Sequence, residues 1–292
     1  MKSWILAFRP KTLTAALVPV IVGSALPYGL GQELKPGLSV LALLSALCIQ
    51  IGTNLVNDAS DFKKGADTAE RIGPKRVTQS GLLSPRRVLG GGLFFFSLAI
   101  LLGIPLVISG GWPLVVIGIF SVLAGYAYTA GPFPLAYLGL GDLFVLIFFG
   151  WVALGGMYYL NTGHFEVAAW VAGTQVGLLA TVLIAVNNLR DRVTDIKAAK
   201  KTLPVRFGVA FARIEIAVLG LGPFLGSVYW FQRDLKWAGA FPLILLPRTI
   251  ALVRKVFRTS PGPVFNQFLA QAAALHLGFG LLLSLGLVLG AL

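Results

Sequence analysis

Residues 88–141, VLGGGLFFFSLAILLGIPLVISGGWPLVVIGIFSVLAGYAYTAGPFPLAYLGLG, contain no Asp, Glu, Lys or Arg. A helix needs ~20 mostly apolar residues to cross a bilayer's hydrocarbon core, so this stretch holds two crossings, near 88–108 and 112–128. It is too long for a strand and lacks period-two alternation. Working outward, residues 12–32, 36–57, 143–165, 167–189 and 259–292 are charge-free as well. Nine spans are expected, near 13–30, 38–57, 88–108, 112–128, 142–160, 166–187, 211–231, 237–256 and 267–290. The eighth is interrupted by Pro247 and Arg248. The expected architecture is all-α, a polytopic membrane protein with one transmembrane domain over residues 1–292.

Composition agrees. Of the 292 residues, 57% are apolar and 12% charged, against about 25% charged in an average soluble chain. So little charge could not cover a soluble surface, which excludes a disordered chain and an ordinary soluble enzyme. Cys48 stands alone, so no disulfide framework is expected. His164 and His276 lie in no metal-ligand spacing. Pro10 and Lys11 precede the first span without a small-residue cleavage site, so no cleavable signal is expected.

The net charge of +13 would suggest nucleic acid on a soluble chain. Its placement says otherwise. With loops alternating across the bilayer, only Lys35, Arg233 and Lys236 fall on one side, and the remaining 21 of 24 basic residues fall on the other. That split puts the N-terminus and the basic loops in the cytoplasm, points to a bacterial inner membrane, and leaves no nucleic-acid partner.

The acids are informative because they are few. Asp58, Asp61 and Asp67, in NLVNDASDFKKGAD, and then Glu70 follow the second span, and Asp191 and Asp195 follow the sixth, in NNLRDRVTD. Each cluster is introduced by Asn: Asn54 and Asn57 in the first, Asn187 and Asn188 in the second. The pairs Asn54/Asp58, Asn57/Asp61, Asn187/Asp191 and Asp191/Asp195 are four apart, so each shares a helix face. Stacked carboxylates repel unless a cation lies between them. Carboxylate and amide oxygens are hard ligands suited to Mg²⁺, which keeps waters and is completed by substrate phosphates. Anion donors flank both clusters: Lys63, Lys64, Lys75 and Arg76 after the first, Arg190, Lys200, Lys201 and Arg206 around the second. Acids for metal and bases for phosphate at one membrane surface make a Mg²⁺-diphosphate site. Arg9 and Lys11 at the first span serve as an anchor or bind substrate. Asp142, opening the fifth span, orders its loop or touches a substrate.

Four segments carry a resemblance: FRPKTL at 8–13, NDASDFKKGADTAERIGPKRVTQSGLLSP at 57–85, YTAGPFPLAYLGLGD at 128–142 and NNLRDRVTDIKAAKKTL at 187–203. The chain resembles the UbiA superfamily of intramembrane aromatic prenyltransferases over nearly its whole length. RVTQSGL, with NNLRDxxTD and a following KKTL, is similar to the naphthoate-prenylating subgroup. The resemblance implies nine helices around a central cavity, with a polyprenyl diphosphate held through Mg²⁺ under a cap built by the two acid loops. It implies transfer of the polyprenyl group to 1,4-dihydroxy-2-naphthoate, with loss of CO₂ and diphosphate. Another acceptor, 4-hydroxybenzoate or homogentisate, or a phytyl donor remains the alternative.

The family's first motif falls on Asn57, Asp61 and Asp67, and its second on Asp191 and Asp195. Relatives commonly place the third acid four residues after the second, where this chain has Gly65. Many hydroxybenzoate relatives carry Lys four residues after a Tyr, and here Tyr128 is followed by Pro132. That departure disfavours hydroxybenzoate and leaves a phosphate donor to come from Arg76 or Lys201. The expected catalytic set is Asn57, Asp61, Asp191 and Asp195, with Asp58 and Asp67 as further metal ligands. The expected substrate contacts are Arg9, Asn54, Lys63, Lys75, Arg76, Tyr128, Asn187, Asn188, Arg190 and Lys201. Phe62, Tyr126, Tyr128 and Tyr137 are candidates to face an allylic cation. Two rivals, a secondary transporter and a lipid phosphotransferase, fit less well: transporter acids sit near the midplane, and the Asp-Gly-x-x-Ala-Arg run of the phosphotransferases is absent.

Overall fold

The computed structural model describes residues 2–68 and 71–292. Glu70, assigned above to the first acid cluster, lies outside the described residues, as does the side chain of Lys11. The described residues are all-helical, without a strand. In chain order the helices are α1 (Lys2–Phe8), α2 (Thr14–Gly29), α3 (Pro36–Lys63), α4 (Pro85–Gly110), α5 (Trp112–Ala127) and α6 (Gly141–Val145). A π-helical segment, Leu146–Val152, joins α6 to α7 (Ala153–Thr162). Then come α8 (Val167–Lys197), α9 (Leu203–Leu221), α10 (Gly226–Gln232), α11 (Lys236–Leu243), α12 (Leu246–Arg258) and α13 (Phe265–Gly290).

Six helical stretches are long and apolar enough to cross a membrane, and α2 and α5 are shorter apolar helices. These eight correspond to eight of the nine expected spans. The eighth expected span, 237–256, differs. It divides into α11 and α12 at Ile244–Leu245, and α12 carries Arg248, Arg254, Lys255 and Arg258. Four cations within 13 residues cannot all be buried in hydrocarbon, so α12 is amphipathic instead of uniformly apolar.

Helix α8 is the hub. It packs against the π segment, α9, α13, α7 and α2, and α2 in turn packs against α13 and α7. Its apolar window is 61% buried against 17% for α4, whose Phe94, Ile100, Leu101, Ile104 and Ile108 face outward. The π segment approaches α8 closely at Gly150, where a β-carbon would lie 2.5 Å from the Gly173 carbonyl oxygen and 3.0 Å from Gly177 Cα. Small residues at helix interfaces are how lipid-embedded bundles bring backbones together.

Length places the acids. Helices α3 and α8 have 28 and 31 residues, about 42 and 46 Å at 1.5 Å per residue, longer than a ~30 Å hydrocarbon core. Neither stops at the Asn that closes its apolar stretch. Helix α3 runs on through Asp58 and Asp61, and α8 through Asp191 and Asp195, so these four acids are helical and stand at one rim of the bundle.

Because backbone atoms oppose Gly150, a side chain there cannot be absorbed by rotamer changes. Gly150→Val is expected to cost about 1–3 kcal/mol by overpacking. Thermal unfolding in detergent checks this, and an unchanged midpoint contradicts the close approach.

Candidate functional site

The end of α3 is a reversal. Lys64 caps the helix, Gly65 takes φ +70°, Gly65 N–H donates to Phe62 O and Ala66 N–H to Asp61 O. This is a Schellman arrangement, for which glycine has no β-carbon penalty. It turns the chain back so that Asp67 returns beside Asp61. The end of α8 repeats it: Ala199 has φ +54°, Ala199 N–H donates to Ile196 O and Lys200 N–H to Asp195 O. Asp61 and Asp195 thus occupy the same position in two equivalent helix ends.

Asp61 is the most contested group. It is buried, accepts the Tyr137 hydroxyl at 2.9 Å, and lies 3.3 Å from Lys200 Nζ and 3.7 Å from Arg76. Asp67 pairs with Arg71 and, at 3.3 Å, with Arg76, while its Oδ2 has no hydrogen bond. Burial, ahead of every neighbouring charge, pushes the Asp67 carboxyl up to about 6. Asp195 accepts Thr202 Oγ1 at 3.4 Å and lies in the field of Asp61 and Asp191. Asn57 Oδ1 accepts Thr129 Oγ1 at 2.6 Å.

Tyr137 joins the two ends. It lies on the 128–140 segment between α5 and α6. The Lys64 and Lys200 ammonium groups lie 4.4 and 4.8 Å from its ring centroid, within cation–π range. Lys64 Nζ also donates to Thr129 O at 2.7 Å. Lys201 N–H donates to Tyr137 O, and Arg206 donates to Leu138 O at 2.6 Å. Burial and the adjacent Asp61 push the Tyr137 hydroxyl's pKa up, and burial pushes Lys64 down despite Asp61.

Other expected residues are engaged elsewhere. Asp58 is fully buried and accepts Val77 N–H at 3.1 Å, Thr78 N–H at 3.2 Å and the Thr78 hydroxyl. It fastens the 71–84 loop to α3. Asn54 donates to Phe8 O and Thr12 Oγ1, both at 3.0 Å, and Arg9 donates to Asn54 O, so these two brace the α1–α2 junction. Arg190 is fully buried and grips both Asp191 oxygens, Asn187 Oδ1 and Asn266 Oδ1, and Asn266 Nδ2 holds Ile72 O. That chain ties α8, α13 and the 71–84 loop together. Asn188 turns to Asp142 Oδ2 at 3.2 Å. Lys63, Lys75 and Lys201 are exposed, with no ion pair to these acids, and Phe62 and Tyr126 are exposed too.

Sequence reasoning grouped Lys63 with Lys64 and Lys200 with Lys201, and only the helix-end reversals separate them. No sequence signal marks Thr78, Thr129 and Asn266, whose partners lie 20, 72 and 76 residues away. Nor does any mark Glu215, a carboxylate inside α9.

Next to the acids lies a cavity of about 120 Å³, walled by Gln50, Thr53, Gly125, Tyr128, Phe144 and Phe148 among others. Phe144 and Phe148 stack at 5.8 Å. Tyr128 connects cavity and acids: burial and the fields of Asp142, Asp61 and Asp195 push its hydroxyl's pKa up. Among the described residues no ready-made cage of three acid, His or Cys ligands exists. The donor set nonetheless suits Mg²⁺, which needs few protein oxygens and retains waters: neighbouring carboxylates act on one another, and Asp67 Oδ2 faces Arg76 at 3.3 Å without a hydrogen bond.

Residues 16–274 match the model of the UbiA prenyltransferase family. The 1,4-dihydroxy-2-naphthoate octaprenyltransferase of Haemophilus influenzae is 34% identical, covering 99% of this chain and 97% of the relative. The enzyme of the same name from Escherichia coli is 34% identical over 99% and 96%. A UbiA homologue from Archaeoglobus fulgidus, solved with DMAPP and Mg²⁺, shares the fold with TM-score 0.62 at 20% identity, covering 97% of this chain and 99% of that one.

Asp58 needs its loop donors. Thr78→Val removes a hydroxyl from a buried carboxylate, a cost of about 1–3 kcal/mol, and loosens the 71–84 loop. Trypsin is expected to cut at Lys75 and Arg76 several-fold faster than in the parent. An unaltered rate would show that the loop is held elsewhere.

Proposed function

The chain belongs to the UbiA prenyltransferase family, and we propose that it transfers a polyprenyl group from a polyprenyl diphosphate to 1,4-dihydroxy-2-naphthoate, releasing diphosphate and CO₂. One observation carries the reading. Asp61 on α3 and Lys200 beyond α8 meet at one tyrosine, beside an apolar cavity in an integral membrane protein. The acceptor is supported by relatives of that name matched over nearly their whole length.

In this reading Asn57, Asp61, Asp67 and Asp195 hold Mg²⁺ against the diphosphate. When bound, the metal supplies charge that stabilises the departing diphosphate. Asp58 and Asp191, whose oxygens already meet donors, orient the loops that bring the ligands in. Lys64, Lys200 and Arg76 donate to phosphate oxygens. Because charge on the leaving group grows as the allylic C–O bond breaks, these donors bind the transition state more tightly than the ground state. The apolar cavity takes the tail and keeps water from the cation. Tyr128 and the Phe144/Phe148 stack offer it aromatic faces. The positive-inside distribution supports a cytoplasmic face for the N-terminus and the acid loops.

The test is an acceptor panel. Purified protein with Mg²⁺ and a polyprenyl diphosphate is expected to prenylate 1,4-dihydroxy-2-naphthoate and release labelled CO₂ from its carboxyl. Chelation is expected to stop turnover and added Mg²⁺ to restore it. Reaction with 4-hydroxybenzoate or homogentisate alone overturns the acceptor and leaves the family standing. Asp61→Asn is expected to cut turnover by about 10²-fold or more with the melting temperature retained.

A second measurement separates the lysines. Lys64→Gln is expected to raise the KM for the prenyl diphosphate about tenfold, the scale of one charge-assisted hydrogen bond. The exposed neighbour Lys63→Gln is expected to change it far less. Equal effects of the two would remove Lys64 from the site.

A further inference from the structure

The proposed transfer leaves one buried acid without a task. Asp142 opens α6 and is only 6% exposed, yet its Oδ1 has no hydrogen-bond partner. A buried unpaired carboxylate oxygen costs free energy, so native structures rarely keep one without a use. Its other oxygen, Oδ2, is held by Asn188 Nδ2 at 3.2 Å, which fixes the carboxylate's orientation. The remaining charged neighbour is Glu215 on α9, which lies in the field of Asp142. No cation pairs with Asp142 among the described residues.

Its position is the second observation. Val145 lies three residues along α6 and shares the Asp142 face, and Val145, Phe144 and Phe148 all line the cavity. On the other side, the Tyr128 hydroxyl lies 2.9 Å from where a β-carbon on Gly141 would sit, so Tyr128 abuts the residue before Asp142. Tyr128 also lines the cavity and senses Asp61 and Asp195. Asp142 is not itself in the cavity wall; it stands directly behind two residues that are, Val145 and Tyr128, and Tyr128 is the one that also faces the acid cap. An aromatic acceptor must lie against that wall to meet the allylic carbon.

We propose that Asp142, oriented by Asn188, is the group that binds the acceptor's ring hydroxyl and takes its proton as the new carbon–carbon bond forms. This rests on the naphthoate reading. Removing the proton from the hydroxyl next to the carboxylate-bearing carbon pushes electron density onto that carbon. It attacks the allylic carbon while the C–O bond to diphosphate breaks and diphosphate leaves with the electron pair. The product of that step is a ketone beside a quaternary carbon bearing the carboxylate. Such a β-keto acid loses CO₂, and the C–CO₂ electron pair forms an enolate. The enolate oxygen takes the proton back from Asp142, giving the hydroquinone. The proton is borrowed and returned, so the reaction consumes none.

Asp142→Asn tests this, because it keeps size and one acceptor oxygen but cannot take the proton. General-base catalysis contributes about 10²–10⁴-fold, so kcat with 1,4-dihydroxy-2-naphthoate is expected to fall at least tenfold. The KM for the prenyl diphosphate is expected to stay within twofold, and Mg²⁺ with pyrophosphate is expected to raise the melting temperature as in the parent. Asp142→Glu is expected to retain more turnover than the Asn variant. Parent-like turnover of Asp142→Asn overturns the proposal. So does loss of pyrophosphate protection, which would mean that Asp142 only supports α8. If the variant does not fold, the parent protein is given 4-hydroxy-1-methoxy-2-naphthoate, which keeps the far hydroxyl but has no proton to yield beside the carboxylate. Competitive inhibition without prenylation is expected, and normal prenylation overturns the proposal. Failure of the parent with the naphthoate sinks the acceptor reading instead, and Asp142→Asn is then measured with whichever hydroxyarene the parent prenylates.

Discussion

Carboxylates crowded at the edge of a lipid-embedded bundle must be neutralised or the fold does not hold. A lone charge moved out of water is costly, and a buried pair is tolerable only with close partners and further hydrogen bonds. Four acids of the cap have such close partners, while among the described residues Asp195 meets only the Thr202 hydroxyl at 3.4 Å and the field of Lys200. Asp58 is met by backbone and hydroxyl donors, Asp67 by two arginines, Asp191 by one arginine, and Asp61 by a tyrosine, a lysine and an arginine. The cations that neutralise Asp61 are those suited to grip a diphosphate. In the proposed reading, stability without substrate and affinity for substrate are served by the same side chains.

The two halves of the cap are built alike. Each is a helix longer than the membrane, ending in a left-handed residue whose successor folds back over an acid three positions from the end. Gly65 adopts that conformation freely. Ala199 does so at a cost of roughly 1–2 kcal/mol, offset by the contacts of Lys200. The 128–140 segment then lies across both ends, with Tyr137 between their lysines. Neither half completes the site without the other.

Rigid fastenings surround the groups that must change partner. Asp58 and Thr78 pin the 71–84 loop at one point, and Arg190 through Asn266 pins it at another. The residues between are left to meet a ligand, as a preorganised electrostatic site requires. Asp142 follows the same logic one layer deeper: one oxygen is tied to Asn188 and the other is left open.

Membrane insertion, helical class and the two acid clusters are legible in the chain alone, because each depends on local composition and spacing. A 54-residue run without charge has no other stable home, and acids four apart share a helix face wherever the helix goes. Residue choice within the site is different. Lys64 and Lys63 are adjacent, chemically identical and both exposed, and only the folded chain brings Lys64, and not Lys63, over the Tyr137 ring. Asp58, four residues from Asn54, looks like a ligand until the 71–84 loop covers it, and Asp67 looks misplaced until the chain reverses. Such assignments depend on which segments meet across tens of residues, and burial energy is shared among whichever groups the packing brings together. That meeting is a property of the folded bundle, and no spacing along the chain encodes it.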